Sequence, residues 1–296
     1  MTSRVNKLLR RLSIGVAAMA LMFVAVPATP ADIQSRTVAA FDRYVRLTEV
    51  RMRAGARFLW VDTLPEPQQR TRRNELRRGT PLIERLTTRD GGSEISIPDG
   101  LVHHWVGLVF VSGTTVDQVL ALLQDYDRHA DVYRPAVAQS RLLARDGDVF
   151  RVYLRFVMKK VITVVVNSEH EARFSRDRSD RAQGRIHSTR IAEVEAADTP
   201  SEREKPVGRD SGYLWRLHTY WRLLERDGGT YVQCESISLT RGIPLGFGWL
   251  VRPFVTSIPR ESLEFTLATT GTIPARNAIS STLVEIFRGR PTKPRS

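Results

Sequence analysis

The stretch YLWRLHTYWRLLERDGGTYVQCESISLT, residues 213–240, holds two runs of β-formers hinged on one turn. Tyr213 to Glu225 and Tyr231 to Thr240 are rich in Trp, Tyr, Leu and Val, and Arg226-Asp227-Gly228-Gly229 between them predicts a tight hairpin. Strand side chains alternate between faces, so Tyr213, Trp215, Leu217, Thr219, Trp221 and Leu223 are expected together on one apolar, aromatic face. His218 and Tyr220 fall on the other, expected at solvent or an edge.

Working outward, the same signals recur upstream. His103 to Val111, Arg141 to Ala144, Val149 to Val157, Val161 to Val166, Glu169 to Phe174 and Gly184 to Val194 read as strands. On Val149 to Val157, Phe150, Val152, Leu154 and Phe156 share one face, while Arg151, Tyr153 and Arg155 share the other. One amphipathic helix interrupts the strands, from Thr114 as N-cap through Val119, Leu120, Leu122 and Leu123 to Tyr126. Asp198 to Asp210 lacks periodicity and reads as a surface loop. Downstream, a final helix starts near Ser257, with Pro259 in its first turn and Ile258, Leu263 and Leu267 as its apolar stripe. Upstream, Ile33 to Trp60 predicts a long amphipathic helix, and Glu66 to Arg78 a short basic one ending at Gly79.

The order of strand, helix, about six antiparallel strands and a closing helix, over about His103 to Thr269, resembles the START-like (SRPBCC, polyketide-cyclase) superfamily. The residues that carry the resemblance are the strand Trp105 to Val111, Asp125-Tyr126-Asp127 with Tyr133-Arg134-Pro135, and Trp221-Arg222-Leu223 followed by Asp227 to Val232. Pro244-Leu245-Gly246 and Pro259-Arg260-Glu261-Ser262-Leu263 complete it. The resemblance implies an α+β helix-grip fold: a curved antiparallel sheet wrapped around a long C-terminal helix, here with an N-terminal helical extension. It also implies a hydrophobic pocket between sheet and helix, of the kind relatives use for sterols, phospholipids, quinones or polyketides. Phe150, Val152, Leu154, Phe156, Trp215, Leu217, Trp221, Leu263 and Leu267 are then the expected pocket lining. A packed core made of the same residues is the alternative.

The ends of the chain speak to location. Arg4, Lys7, Arg10 and Arg11 precede an uncharged apolar run of roughly fifteen residues, Leu12 to Val26, the layout of a secretory signal peptide. Spanning a bilayer takes about twenty residues, so a permanent transmembrane helix fits less well. Cleavage after Ala28 or after Ala31 satisfies the small-residue rule. The expected organisation is a signal peptide at 1–28, the extension at 29–94, the START-like domain at 95–275 and a loosely held tail at 276–296, with a periplasmic or secreted location. The net charge is +13. Part of it clusters in Arg72, Arg73, Arg77 and Arg78, which predicts contact with an anionic membrane surface, aided by Phe247 and Trp249. Export argues against nucleic acid.

Catalytic chemistry is weakly encoded. The single cysteine, Cys234, excludes an internal disulfide and a multi-cysteine metal site. His103 and His104 are adjacent in a strand and point to opposite faces, and no histidine pair has zinc spacing. No metal, cofactor or catalytic residue is therefore expected. The leading expectation is an exported binder or carrier of a hydrophobic molecule or lipid. A cyclase- or hydrolase-like enzyme, favoured by a polar cluster with Glu235 or Arg155 at the pocket floor, and a protein-interaction module remain as alternatives.

Overall fold

The computed structural model describes residues 31–32, 35–55, 57–159, 162–242 and 257–272. The signal segment, the tail and the Phe247 and Trp249 positions lie outside these.

The first helix, α1 (Ser35–Ala54), buries Phe41, Tyr44, Val45 and Thr48, a stripe at helical spacing. It stops at Ala54 instead of continuing to Trp60, and a 3-10 turn, Trp60–Thr63, follows. The basic α2 (Glu66–Arg77) ends as its sequence predicts. Gly79 takes a φ of +88°, its N–H reaches the Leu76 carbonyl at 2.9 Å, and the Thr80 N–H reaches that of Glu75 at 3.0 Å. Two otherwise unpaired carbonyls are satisfied in this way.

The strands are β1 (Leu82–Arg85), β2 (Gly100–Ser112), β3 (Val137–Asp146), β4 (Val149–Lys159), β5 (Thr163–Arg178), β6 (Arg181–Glu195), β7 (Arg216–Arg226) and β8 (Gly229–Arg241). With Arg203–Glu204 beside β6, they form a nine-stranded antiparallel sheet in the order β1-β2-β8-β7-β6-β5-β4-β3. The β7–β8 hairpin turns on Asp227 and Gly228, whose φ angles of 60° and 77° match the twist of a two-residue hairpin. Two of the runs read from the sequence, ending at Val166 and Phe174, are continuous in β5. Strand β1 lies upstream of the boundary expected at 95, yet it is hydrogen-bonded to β2 as part of the same sheet.

Between β2 and β3 come α3 (Val116–Gln124) and the single turn α4 (His129–Val132). The N-cap of α3 is Thr115, not Thr114. Its hydroxyl accepts from the Gln118 N–H at 3.3 Å while the Gln118 side chain accepts from the Thr115 N–H at 3.0 Å. Thr114 is buried and donates to the Val111 carbonyl instead. The last helix, α5, spans 257–272.

Both faces of the sheet are apolar, so both need a cover. On the inner face Val109, Val111, Phe150, Val152, Ala172, Phe174, Trp221, Leu223 and Val232 pack with Val116, Val119 and Leu123 of α3 and Leu263 and Leu267 of α5. Gly107 makes room for this: a Cβ there would stand 2.3 Å from Leu267 Cδ1. On the outer face Val106, Leu108, Leu224 and Tyr231 pack with Leu59, Val61 and Leu76. Phe41, Tyr44 and Val45 of α1 cover Tyr220, Ile237 and Leu239. The chain is thus an α+β helix-grip: an antiparallel sheet with its C-terminal helix packed on the inner face, and an N-terminal extension over the outer one.

Candidate ligand site

Phe150, Val152, Trp221, Leu263 and Leu267 meet in one buried cluster between sheet and helix. Leu154 and Phe156 join a neighbouring cluster with Tyr133, Val137 and Phe265 of α5. Leu217 is half-buried on Trp221's face by register. Trp215 is elsewhere: it packs on the outer side with Phe41, Tyr44 and Tyr220. Its indole N–H donates to Asp210 Oδ1 at 2.8 Å. Strand alternation begins only at Arg216, and the bend at Gly212, φ 79°, turns Trp215 over before the strand starts. Counting faces back past the end of a strand misplaces this residue.

Polar groups enter the inner layer from the segment after α3. The rings of Tyr126, His129 and Tyr133 follow one another, with centroids 4.7 Å and 5.2 Å apart, and Tyr126 stands 5.7 Å from Phe150. Spacings of three and four bring all three to one side of the turn. The Tyr133 hydroxyl bonds Thr270 Oγ1 of α5 at 2.9 Å. Tyr126 Oη and His129 Nε2 are buried and meet no hydrogen-bonding partner. Burial pushes the His129 pKa down to about 4, against smaller opposing effects of the Leu122 backbone and Asp125. The Tyr126 hydroxyl is pushed well up by burial, then by the nearby Tyr133. In the sequence Tyr126 and Tyr133 read as markers of the fold, and their spacing alone does not mark a site. His129 carried no signal of its own.

Glu235 and Arg155, expected to mark an enzymatic pocket floor, are on the other side. Glu235 pairs across strands with Tyr220, whereas the inner-face Trp221 pairs with Cys234. The Glu235 carboxylate accepts from His104 Nε2 at 2.8 Å and from Arg51 of α1. His104 Nδ1 is 2.9 Å from the Tyr44 hydroxyl, which in turn accepts from the Thr88 N–H at 2.8 Å. Burial alone would raise the Glu235 carboxyl, but the His104 and Arg51 bonds outweigh it and hold it low. Burial keeps His104 neutral. Each member of this chain is engaged within the protein, so it anchors the extension. Arg155 makes bonds of 2.8 Å and 2.9 Å to Glu202, fastening the 198–210 loop to β4. Tyr220, expected near solvent, is buried under α1 and donates to Glu49 at 2.8 Å.

Two of the remaining histidines, His103 and His170, are also committed. His103 bonds Thr240 at 3.0 Å and His170 bonds Ser168 at 2.9 Å. His187 and His218 stack at 5.9 Å on the outer face. Cys234 is buried and its thiol is pushed far up by burial. Among the described residues no group of three His, Cys, Asp or Glu is placed to hold a metal. No helix among them is long and apolar enough to cross a membrane.

Of the basic cluster, Arg73 is half-buried and paired with Asp62, and Arg72 pairs with Glu75 at 3.1 Å. Arg77 and Arg78 are exposed. A surface depression of about 590 Å³ beside α2 is lined by Arg57, Asp62, Leu64, Glu66, Gln69 and Arg73. Its polar groups bond one another: Gln69 donates to the Asp62 and Leu64 carbonyls at 3.0 Å and 2.7 Å.

No family model matches the chain, and no curated protein does. Among solved structures it is similar to the Zhui aromatase/cyclase from Streptomyces sp. R1128, at 13% identity over 60% of this chain and 96% of that one, TM-score 0.41. A STAR-related lipid transfer protein from Xanthomonas axonopodis matches at 17% identity over 61% of this chain and 98% of its own, TM-score 0.36. Human STARD10 matches at 12% identity over 76% and 86%, TM-score 0.41.

Proposed function

We propose that this protein binds a hydrophobic small molecule or lipid in the layer between the inner sheet face and α5, and that it does so outside the cytoplasm as a carrier. The observation that carries the reading is the uneven closure of that layer. Val109, Trp221, Leu223, Leu263 and Leu267 are buried, while Trp105 and Ile186 against the same cluster, and Phe156 and Phe265 against its neighbour, are only partly buried. Apolar side chains left half-covered between two elements favour an apolar occupant. The groups an enzyme of this layout would use, Glu235 and Arg155, are instead spent on anchoring other segments. Export is supported by the charged start and apolar run of the first 28 residues, and membrane contact by the exposed Arg77 and Arg78.

Native mass spectrometry of the purified full chain, followed by organic extraction, tests the binding role. A stoichiometric apolar molecule is the expected result. A protein that carries nothing and also rejects a panel of lipids, quinones and sterols overturns it. Sequencing the N-terminus of the protein recovered from the envelope fraction tests export.

A further inference from the structure

Tyr126 Oη and His129 Nε2 are buried polar atoms without a partner, carried on rings whose centroids lie 4.7 Å apart at the inner layer. An unpaired buried hydroxyl or imidazole nitrogen costs free energy unless something bonds it. Their neighbours offer nothing: Phe150 packs against Tyr126, and the Tyr133 hydroxyl is committed to Thr270.

The chemistry of the two atoms is complementary. In the neutral imidazole that carries its proton on Nδ1, a bare lone pair stands at the unpartnered Nε2. The Tyr126 hydroxyl has a proton to give. Together they offer one donor and one acceptor, which a single alcohol hydroxyl satisfies by accepting from Tyr126 and donating to His129. An ether can only accept, and a carboxylate has no proton for Nε2. The central strands put no carboxylate, lysine or arginine on this face: they present Trp105, Gly107 and Val109, Thr219, Trp221 and Leu223, and Val232, Cys234 and Ser236. A charged head group buried against these strands would have no counter-ion on them; the exposed Arg145 stands 4.6 Å over the Phe150 ring at the margin.

We infer that Tyr126 and His129 are the polar end of the ligand site and select a neutral, hydroxyl-bearing hydrophobic molecule. The inference rests on the binding role proposed above.

Retinol, retinyl methyl ether and retinoate share one apolar body and differ at the head. Titrated against the full chain by quenching of tryptophan fluorescence, retinol is expected to bind about tenfold more tightly than the ether or the acid, the scale of one or two buried hydrogen bonds. His129→Phe should bring retinol to within about twofold of the ether and leave the ether's affinity unchanged, whereas Tyr126→Phe, which removes the donor both probes use, should weaken retinol and ether alike. Equal affinities for alcohol and ether in the unaltered protein, or an alcohol preference that survives His129→Phe, overturn the inference while the binding role stands. Rejection of all three probes by a protein that also fails the extraction and panel tests overturns both.

Discussion

His104 Nε2 lies 2.8 Å from Glu235 Oε1, both side chains buried, on the sheet face turned away from Trp221. Two polar side chains that resemble the makings of an active site thus bind the N-terminal extension to the outer face. Arg51 completes the arrangement from α1. Glu235→Ala strips His104 of its acceptor in a buried place and leaves the half-exposed Arg51 to water. A loss of about 2–4 kcal/mol is expected, read as a lower urea midpoint at unchanged slope. An unshifted midpoint would contradict the anchoring role.

Acid should unfold this protein early. Burial depresses the pKa of His103, His129 and His218 to about 4 and of His170 to about 3, against an ordinary value of 6.5. In the unfolded chain these rings protonate near pH 6.5, while the folded protein takes up the same protons only near pH 3 to 4. The unfolded state therefore binds more protons throughout that window. Their contribution to stability is complete above pH 6.5 and is lost as the pH falls toward 4, with a slope approaching about 1.4 kcal/mol per pH unit for each ring. Urea midpoints measured at unit steps from pH 8 to 4 check this, and a flat profile between 6.5 and 4.5 would count against it.

The contact of α5 with the sheet depends on Gly107. A β-carbon there meets Leu267 Cδ1 at 2.3 Å and Ile83 Cδ1 at 2.7 Å. Gly107→Val should push α5 away from β2, costing about 1–3 kcal/mol and weakening binding of any apolar probe. Unaltered stability and binding would show that α5 tolerates displacement.

Trp221 distinguishes packing from binding. Its replacement by alanine is expected to cost about 3–5 kcal/mol, because the ring is buried in the inner cluster. Probe affinity, measured well below the unfolding midpoint, should fall as well. A stability loss with unchanged affinity would place the ligand elsewhere.

The arginines of α2 should act unequally. Arg77 and Arg78 are exposed, whereas Arg73 is paired with Asp62 and half-buried. Replacing both Arg77 and Arg78 with Gln should remove the salt-sensitive part of binding to vesicles containing phosphatidylglycerol, and Arg73→Gln should lower stability instead. Vesicle association indifferent to both changes would exclude α2 as a docking surface.

Periodicity in the sequence determined the element types and their order, because alternation at Phe150, Val152 and Leu154, or at Trp221 and Leu223, is a local property of the strand. Turn chemistry did the same for Asp227-Gly228 and Gly79, where only a few residue types accept a positive φ. The pairing of Glu235 with His104 and Arg51, the covering of the outer face by α1, and the turning over of Trp215 were decided by tertiary structure. Each joins residues far apart in the chain or lies just beyond a strand end, where alternation gives no guidance. The Tyr126 and His129 pair belongs to the same class. Its spacing was visible in the sequence, but whether each polar atom finds a partner depends on which side chains the fold brings beside it.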